Sequence, residues 1–391
     1  MNSNFLHIYS AYLNKGGANI AADSLFNGIK NSNDIKFVSR SSFYESSKSK
    51  YKANFMRVIG KVIGLPTYQN TCYLPYCEFI DKQNSSNYEL VHSHWLNNIP
   101  LNSIPDCNNL IITAHDQWII NNCWAWDPDS LSSPTNSLEK LISKTLKKFI
   151  PIKSPVKYIK DHYPLRKIIT PSKWLKNYII NNSDLHASDI KVIHNLIDNN
   201  SFRYLEENNF LNEPRDNLFS IVTSCAYWSE WRKGKCLLFD LLKRLIYAFD
   251  GKVKFKKLGD IKLDRELMKY SDCFGKIKNK NQISKIYNNS DCMLLPSRLE
   301  NLTQTLCEAQ LCGLPAVAFN VGGNNEIIND KFFGYCVDYP NLDDFVNAIK
   351  AIQIDETIEK RKQRALKAKT KFNNKKIIDQ HLNLYKQYCF N

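Results

Sequence analysis

Short apolar stretches, each closed by a polar turn and followed by apolar side chains at helical spacing, recur along the whole chain. Runs this short and this apolar predict buried strands of a parallel sheet rather than helices. Residues 5–9 form one such strand. Asn14-Lys15-Gly16-Gly17-Ala18 then supplies a turn, and residues 19–29 carry a helical pattern. Further strands are predicted at 88–92 and 110–113, both leading into polar, histidine-containing loops. Residues 167–170 pass through Pro171 and Ser172 into a helix, and 191–194 close this half. From Asp198 to Asp216 the chain turns polar and asparagine-rich, with Pro214. A second series follows: strand 218–223, helix 235–249, strand 253–258, a turn at 274–276, helix 282–288 and strand 292–295. Alternating strands and helices predict an α/β protein. The expected domains are 1–199 and 217–376, with a linker at 200–216 and no internal repeat.

The most informative stretch is 294–328. Leu294 and Leu295 end an apolar run, and Pro296 and Ser297 break it. Asn301, with Gln304 three residues on, predicts an N-cap and its capping-box partner. Gly313 and Pro315 stop the helix, and 316–319 is a buried strand. Glu300 falls in the turn, while Glu308 lies about one turn inside the helix, on the face of Gln304. A helix N-terminus has free N–H groups and partial positive charge, which suits a phosphate. A carboxylate one turn deeper can accept hydrogen bonds from vicinal hydroxyls, as on a ribose. The pattern therefore predicts a sugar-nucleotide site.

Glu300 and Glu308, ahead of Cys312-Gly313-Leu314-Pro315 and Val321-Gly322-Gly323, resemble the motif of the retaining family 4 glycosyltransferases of the GT-B fold. The resemblance implies two Rossmann-like domains facing a cleft, with a last helix from about residue 377 crossing back to the first domain. It implies that Glu308 holds the donor ribose, that Glu300 flanks the donor sugar, and that the backbone of Asn301, Leu302 and Thr303 contacts sugar and phosphate. Arg232-Lys233-Gly234 resembles the basic step that grips the donor pyrophosphate, where charge grows as the leaving group departs. Many members carry an Arg where this chain has Tyr227. Gly16-Gly17 resembles the loop that approaches the donor phosphate, though a strand-to-helix turn alone would also call for glycine. His115 resembles the family's histidine near the transferred sugar. Asp116 is either an acceptor contact or the group that orients His115. Phe274-Gly275-Lys276-Ile277 resembles the segment against the nucleotide base, with Lys276 and Ile277 as candidates, or is a strand-end turn. His194 and Leu196 stand where the family more often has Pro and Gly. The implied activity is sugar transfer to a glycan or lipid-linked glycan of bacterial cell-surface polysaccharide. The nucleoside-diphosphate sugar is co-substrate, with no cofactor and no metal, and Arg232, Lys233, Glu300 and His115 serve the chemistry.

Composition narrows the partners. The chain has 391 residues, enough for two ordinary cores. No segment approaches the ~20 apolar residues of a membrane span, and no basic stretch followed by an apolar core marks a secretory signal. The 12 cysteines include no Cys-x-x-Cys. They are expected to be free buried thiols of a cytoplasmic protein. His92 and His94 share one strand face, but no third ligand accompanies them. A net charge of +15 admits phosphate-bearing small molecules, anionic lipid or nucleic acid. Between Lys140 and Lys176 there are eleven basic residues against Asp161 alone. No DNA- or RNA-reading motif appears, so no nucleic acid is expected. Residues 137–150 place Leu138, Leu141, Ile142, Leu146 and Phe149 opposite Lys140, Lys144, Lys147 and Lys148. That helix either packs on the core with a wet basic face or meets an anionic inner membrane. Two alternatives stay open: a sugar-nucleotide hydrolase or epimerase on the same fold, and a basic nucleic-acid-binding protein.

Overall fold

The computed structural model describes residues 5–10, 16–32, 37–42, 89–94, 107, 109–121, 155–163, 165–206, 218–228 and 230–389. The predicted basic helix at 137–150 lies outside them. Contacts divide the chain into two units, Met1–Leu196 with Lys375–Asn391, and Ile197–Asn374. The fold class is α/β, each unit being built on a six-stranded parallel sheet.

The first sheet contains β1 (Phe5–Ser10), β2 (Phe37–Ser42), β3 (Leu90–His94), β4 (Asn109–Thr113), β5 (Leu165–Thr170) and β6 (Ile190–Val192). Their order is β2-β1-β3-β4-β5-β6. Alternate side chains serve opposite faces. Val91, Leu110, Ile112 and Ile168 pack with helices α2 (Trp118–Asn121), α3 (Pro155–His162) and α4 (Lys173–Asn181). Leu90, Ile111 and Ile169 pack with α1 (Gly17–Ile29) and with the terminal helix, Asn374–Cys389. Covering both faces explains why β4 carries apolar residues at successive positions, Leu110, Ile111 and Ile112.

The second sheet contains β7 (Phe219–Ser224), β8 (Val253–Leu258), β9 (Ser271–Gly275), β10 (Cys292–Leu295), β11 (Ala316–Phe319) and β12 (Gly334–Val337), ordered β12-β11-β10-β7-β8-β9. Its helices are α5 (Lys235–Ala248), α6 (Arg265–Lys269), α7 (Lys280–Asn288), α8 (Gln304–Leu311), α9 (Asn324–Ile327), α10 (Leu342–Asp355) and α11 (Ile358–Lys371). The terminal helix is therefore α12. Strand order reverses between β7 and β10, so their C-terminal ends flank a crevice of the kind in which open α/β sheets bind ligands.

Several expectations are corrected. The strand placed at 88–92 runs Leu90–His94, which brings both histidines inside the sheet instead of a following loop; all five residues are buried. Residues 200–206, expected in the linker, belong to the second unit, where Phe202 is buried and stacks 6.0 Å from Tyr287. Not every thiol is buried: Cys236 and Cys273 are exposed among the eight described cysteines, all of them free.

Candidate active site

In the second unit, β10 ends at Leu295 and hands the chain to a turn that two glycines hold in place. Gly234 has φ +70°, and a Cβ there would overlap the Pro296 carbonyl. Gly322 has φ +59°, and a Cβ there would overlap the Glu300 carbonyl. Only glycine adopts this backbone with such close neighbours. The Arg298 N–H donates to the Arg232 carbonyl at 2.7 Å, and the Gly323 N–H to the Asn301 carbonyl at 2.8 Å. Asn301 is not the N-cap of α8. Thr303 is, and no side chain caps the helix. The Thr303 hydroxyl instead donates to Asn324 Oδ1 at 2.7 Å, and the two glycine turns replace the capping box in fixing the helix start. Leu302 is buried in the core.

At the end of β7 a single 3₁₀ turn, Trp231–Lys233, carries both predicted cations. Arg232 Nη1 lies 3.0 Å from Glu300 Oε2, and Lys233 Nζ lies 2.6 Å from Oε1. Arg232 Nη2 also pairs with Glu230 at 2.7 Å. Glu300 is only 5% exposed. Burial pushes its carboxyl up, but Lys233 and Arg232 outweigh that and hold it below the usual carboxylate range. Arg298 braces the turn, its guanidinium 5.9 Å from the Trp231 ring and its Nε donating to Tyr339 Oη at 3.1 Å.

Glu308 has the opposite character. As a residue it is half-exposed, yet desolvation of its carboxyl pushes the pKa up to about 8, against Lys280 and with help from Asp198. Those two form a pair of their own at 3.1 Å. Beyond β9, Lys276 pairs with Asp260 at 2.6 Å and lies 4.4 Å from the ring of Tyr227, which is 54% exposed. A cation thus stands over the aromatic ring found where many family members have arginine. Ile277 packs partly into the core.

The first unit holds the other candidates. Gly16, with φ +77°, caps α1, and both Gly16 and Gly17 are exposed. Asp116 Oδ1 accepts the Trp118 N–H at 2.9 Å, which starts α2. The His115 ring is hydrogen-bonded to His94, whose Nδ1 lies 3.1 Å from His115 Nε2. Sequence reasoning did not assign His94, Arg298 or Glu230. For His94 a signal was present, since its same-face spacing with His92 aims both into the sheet end beside β4. Behind them, His92 is held by Tyr385 Oη at 2.8 Å and Thr113 Oγ1 at 2.7 Å. Among the described residues, no group of three or more His, Cys, Asp or Glu could hold a metal ion.

Residues 239–371 match the family model described as Glycosyl transferases group 1. The match falls wholly within the second unit, which resembles the group 1 glycosyltransferases. The chain is 32% identical over 107 residues to the Escherichia coli UDP-Gal:alpha-D-GlcNAc-diphosphoundecaprenol alpha-1,3-galactosyltransferase, covering 27% of this chain and 28% of that one. It is 26% identical over 211 residues to an uncharacterized 41.2 kDa protein of the Klebsiella pneumoniae cps region, covering 52% and 57%. The chain thus spans less than two thirds of either relative. Among solved structures, Anabaena HepE in complex with UDP superposes with a TM-score of 0.67 at 15% identity, covering 98% of this chain and 99% of that one. The likeness shows the fold of the whole chain, which is of the GT-B class. Among the described residues, no helix is long and apolar enough to cross a membrane.

Proposed function

We propose that the protein is a retaining glycosyltransferase that moves a sugar from a nucleoside diphosphate to a glycan or lipid-linked glycan of a bacterial cell-surface polysaccharide. The observation that carries the proposal is the meeting of Arg232, Lys233 and Glu300 at the switch point of the second sheet. Negative charge grows on the diphosphate as the glycosidic bond breaks, so fixed cations favour the transition state over the ground state. Arg232 offers a planar fork and Lys233 a point charge. In the free protein Glu300 balances both. With donor bound, the phosphates share the cations, and Glu300 accepts hydrogen bonds from the sugar.

Glu308 takes the vicinal ribose hydroxyls, the backbone of Asn301 to Thr303 takes sugar and phosphate, and Lys276 and Ile277 flank the base. Gly16 and Gly17 serve the donor phosphate, His115 the transferred sugar and Asp116 the acceptor. The acceptor hydroxyl attacks the face that the diphosphate leaves. The new C–O bond forms as the old one breaks, and a leaving phosphate oxygen takes the acceptor proton. This chemistry uses the protein's own cations and no metal. The UDP-galactose and diphosphoundecaprenol in the E. coli relative's name, and the UDP of the Anabaena structure, make uridine donors the first to test.

One assay tests the proposal. UDP-, GDP- and ADP-sugars are offered with a lipid-linked acceptor in neutral or anionic vesicles, with and without EDTA, and the product anomer is read by NMR. Transfer with retained configuration, insensitive to EDTA and faster on anionic vesicles, is expected. An inverted product rules out retention, and loss with EDTA restored by manganese rules out metal independence. Donor turnover that ignores the acceptor would leave a hydrolase. Equal rates on both vesicles remove the membrane surface from the proposal.

A further inference from the structure

The histidines at the C-terminal end of the first sheet form a contact that the proposed function does not use. His94 is 2% exposed, and its ring lies 4.4 Å from that of His92 and 5.3 Å from that of His115. Its Nδ1 meets His115 Nε2 at 3.1 Å, while its Nε2 is buried with no hydrogen-bond partner among the described residues. Two imidazole nitrogens at this distance need one proton between them. A single choice, the nitrogen of His94 that carries the proton, therefore sets the tautomer of both rings.

Three states compete. A cationic His94 is disfavoured first by desolvation and then by His92, His115, His381 and Arg40, so it would bury an uncompensated charge. A neutral ring protonated at Nε2 would bury an N–H without an acceptor, which folded proteins rarely tolerate. A neutral ring protonated at Nδ1 leaves only a lone pair unsatisfied and donates to His115. The third state is the least costly.

We infer that His94 is a positioning residue that donates from Nδ1 to His115 Nε2 and so locks His115 with its own proton on Nδ1. His115 then acts as a hydrogen-bond donor through Nδ1–H, and its Nε2 is occupied as an acceptor. It does not serve as a general base through Nε2. This role for His94 rests on the proposed part of His115 in sugar transfer, but the tautomer can be measured without any activity.

All eight histidines lie in the first unit, so ¹⁵N-histidine labelling reports on this unit alone. In wild type near neutral pH, His115 assigned from the spectrum of His115→Gln should show a pyrrole-type Nδ1 and a pyridine-type Nε2. His94 should show the same pair. A protonated Nε2 on His115 overturns the inference whatever the enzyme does. His94→Asn places an amide N–H where Nδ1 stood and should preserve both the His115 tautomer and the transfer rate. His94→Phe fills the space without a donor. It should release His115 toward the Nε2–H form and lower kcat by about tenfold or more, with donor KM unchanged. An unchanged kcat in a folded His94→Phe protein overturns the positioning role. If the tautomer is as inferred but His115→Ala transfers sugar normally, the function assigned to His115 fails and the tautomer assignment stands.

Discussion

At the scale of single residues, Glu300 and Glu308 show how two carboxyls of one motif acquire opposite proton affinities, because one is buried against two cations and the other is desolvated with only Lys280 in its favour. Glu308, with its pKa pushed up to about 8, is mostly protonated near neutral pH in the free protein. Vicinal ribose hydroxyls donate hydrogen bonds and so prefer the ionised carboxylate. Nucleotide binding should therefore release a proton. The sign follows: affinity rises with pH and levels off above about 8, losing up to roughly tenfold per pH unit below that. Calorimetry of nucleoside diphosphate binding in buffers of different ionisation enthalpy measures the proton directly. Glu308→Gln should bind more weakly and release none from this site. If the variant keeps the wild-type proton release, Glu308 is not the ribose ligand.

At the scale of elements, α11 is rich in lysine and arginine, yet both of its arginines are buried. Arg361 donates to the carbonyls of Ser290, Asn288 and Tyr287 at 2.8, 2.9 and 3.1 Å, which closes the C-terminal end of α7. Arg364 donates to the Gly313 carbonyl just past α8 and to the Phe332 carbonyl, both at 2.6 Å, and binds Glu356 through two contacts at 2.7 and 2.8 Å. One helix thus fastens the ends of two others, including the one that carries Glu308. Arg364→Met should cost about 3–5 kcal/mol, because it leaves Glu356 and two carbonyls without their cation. Pairing it with Glu356→Leu should return much of that loss. Urea unfolding decides, and a single variant within about 0.5 kcal/mol of wild type would show that the clamp contributes little. Such clamps escape sequence reasoning because charge patterning cannot distinguish a solvated lysine face from an arginine that caps a distant helix. Local periodicity, by contrast, located Val253–Leu258, Cys292–Leu295 and Ala316–Phe319 to the residue, since the first alternates apolar and lysine positions and the other two are apolar on both faces. It missed β2, FVSRSS at a sheet edge, and β12, which opens on Gly334. Spacing within 294–328 placed Glu300 in its turn and Glu308 in its helix, but the partners of Glu300 come from 67 and 68 residues away. Those pairings exist only once β7 and β10 lie side by side.

At the scale of the molecule, the two units differ in how they meet acid. Every histidine lies in the first unit and none in the second. Five of the eight are held neutral by burial: His92 and His94 well below their ordinary value, His115 and His381 at about 3, and His7 at about 4. Their folded pKa values are depressed below 6.5, so between that value and the folded ones the unfolded chain binds more protons. Their contribution to stability is complete above about 6.5 and is lost as pH falls. Each costs up to about 1.4 kcal/mol per pH unit in that window, against a total stability of roughly 5–15 kcal/mol for a domain. The second unit carries no such load. Glu308, whose folded pKa is raised, favours its fold on the acid side and loses that contribution as pH rises toward about 8. Acidification from about pH 7.5 to about pH 5 should therefore melt the first unit well ahead of the second. Hydrogen exchange followed across that range should show protection lost in β3, β4 and α12 while β10, β11 and α8 stay closed. If both units lose protection together, they unfold as one cooperative body; if neither loses it, the histidine cluster takes up its protons without opening the sheet. Histidine ¹⁵N spectra over the same pH range separate these outcomes, since only in the second do the buried rings become charged while the fold persists.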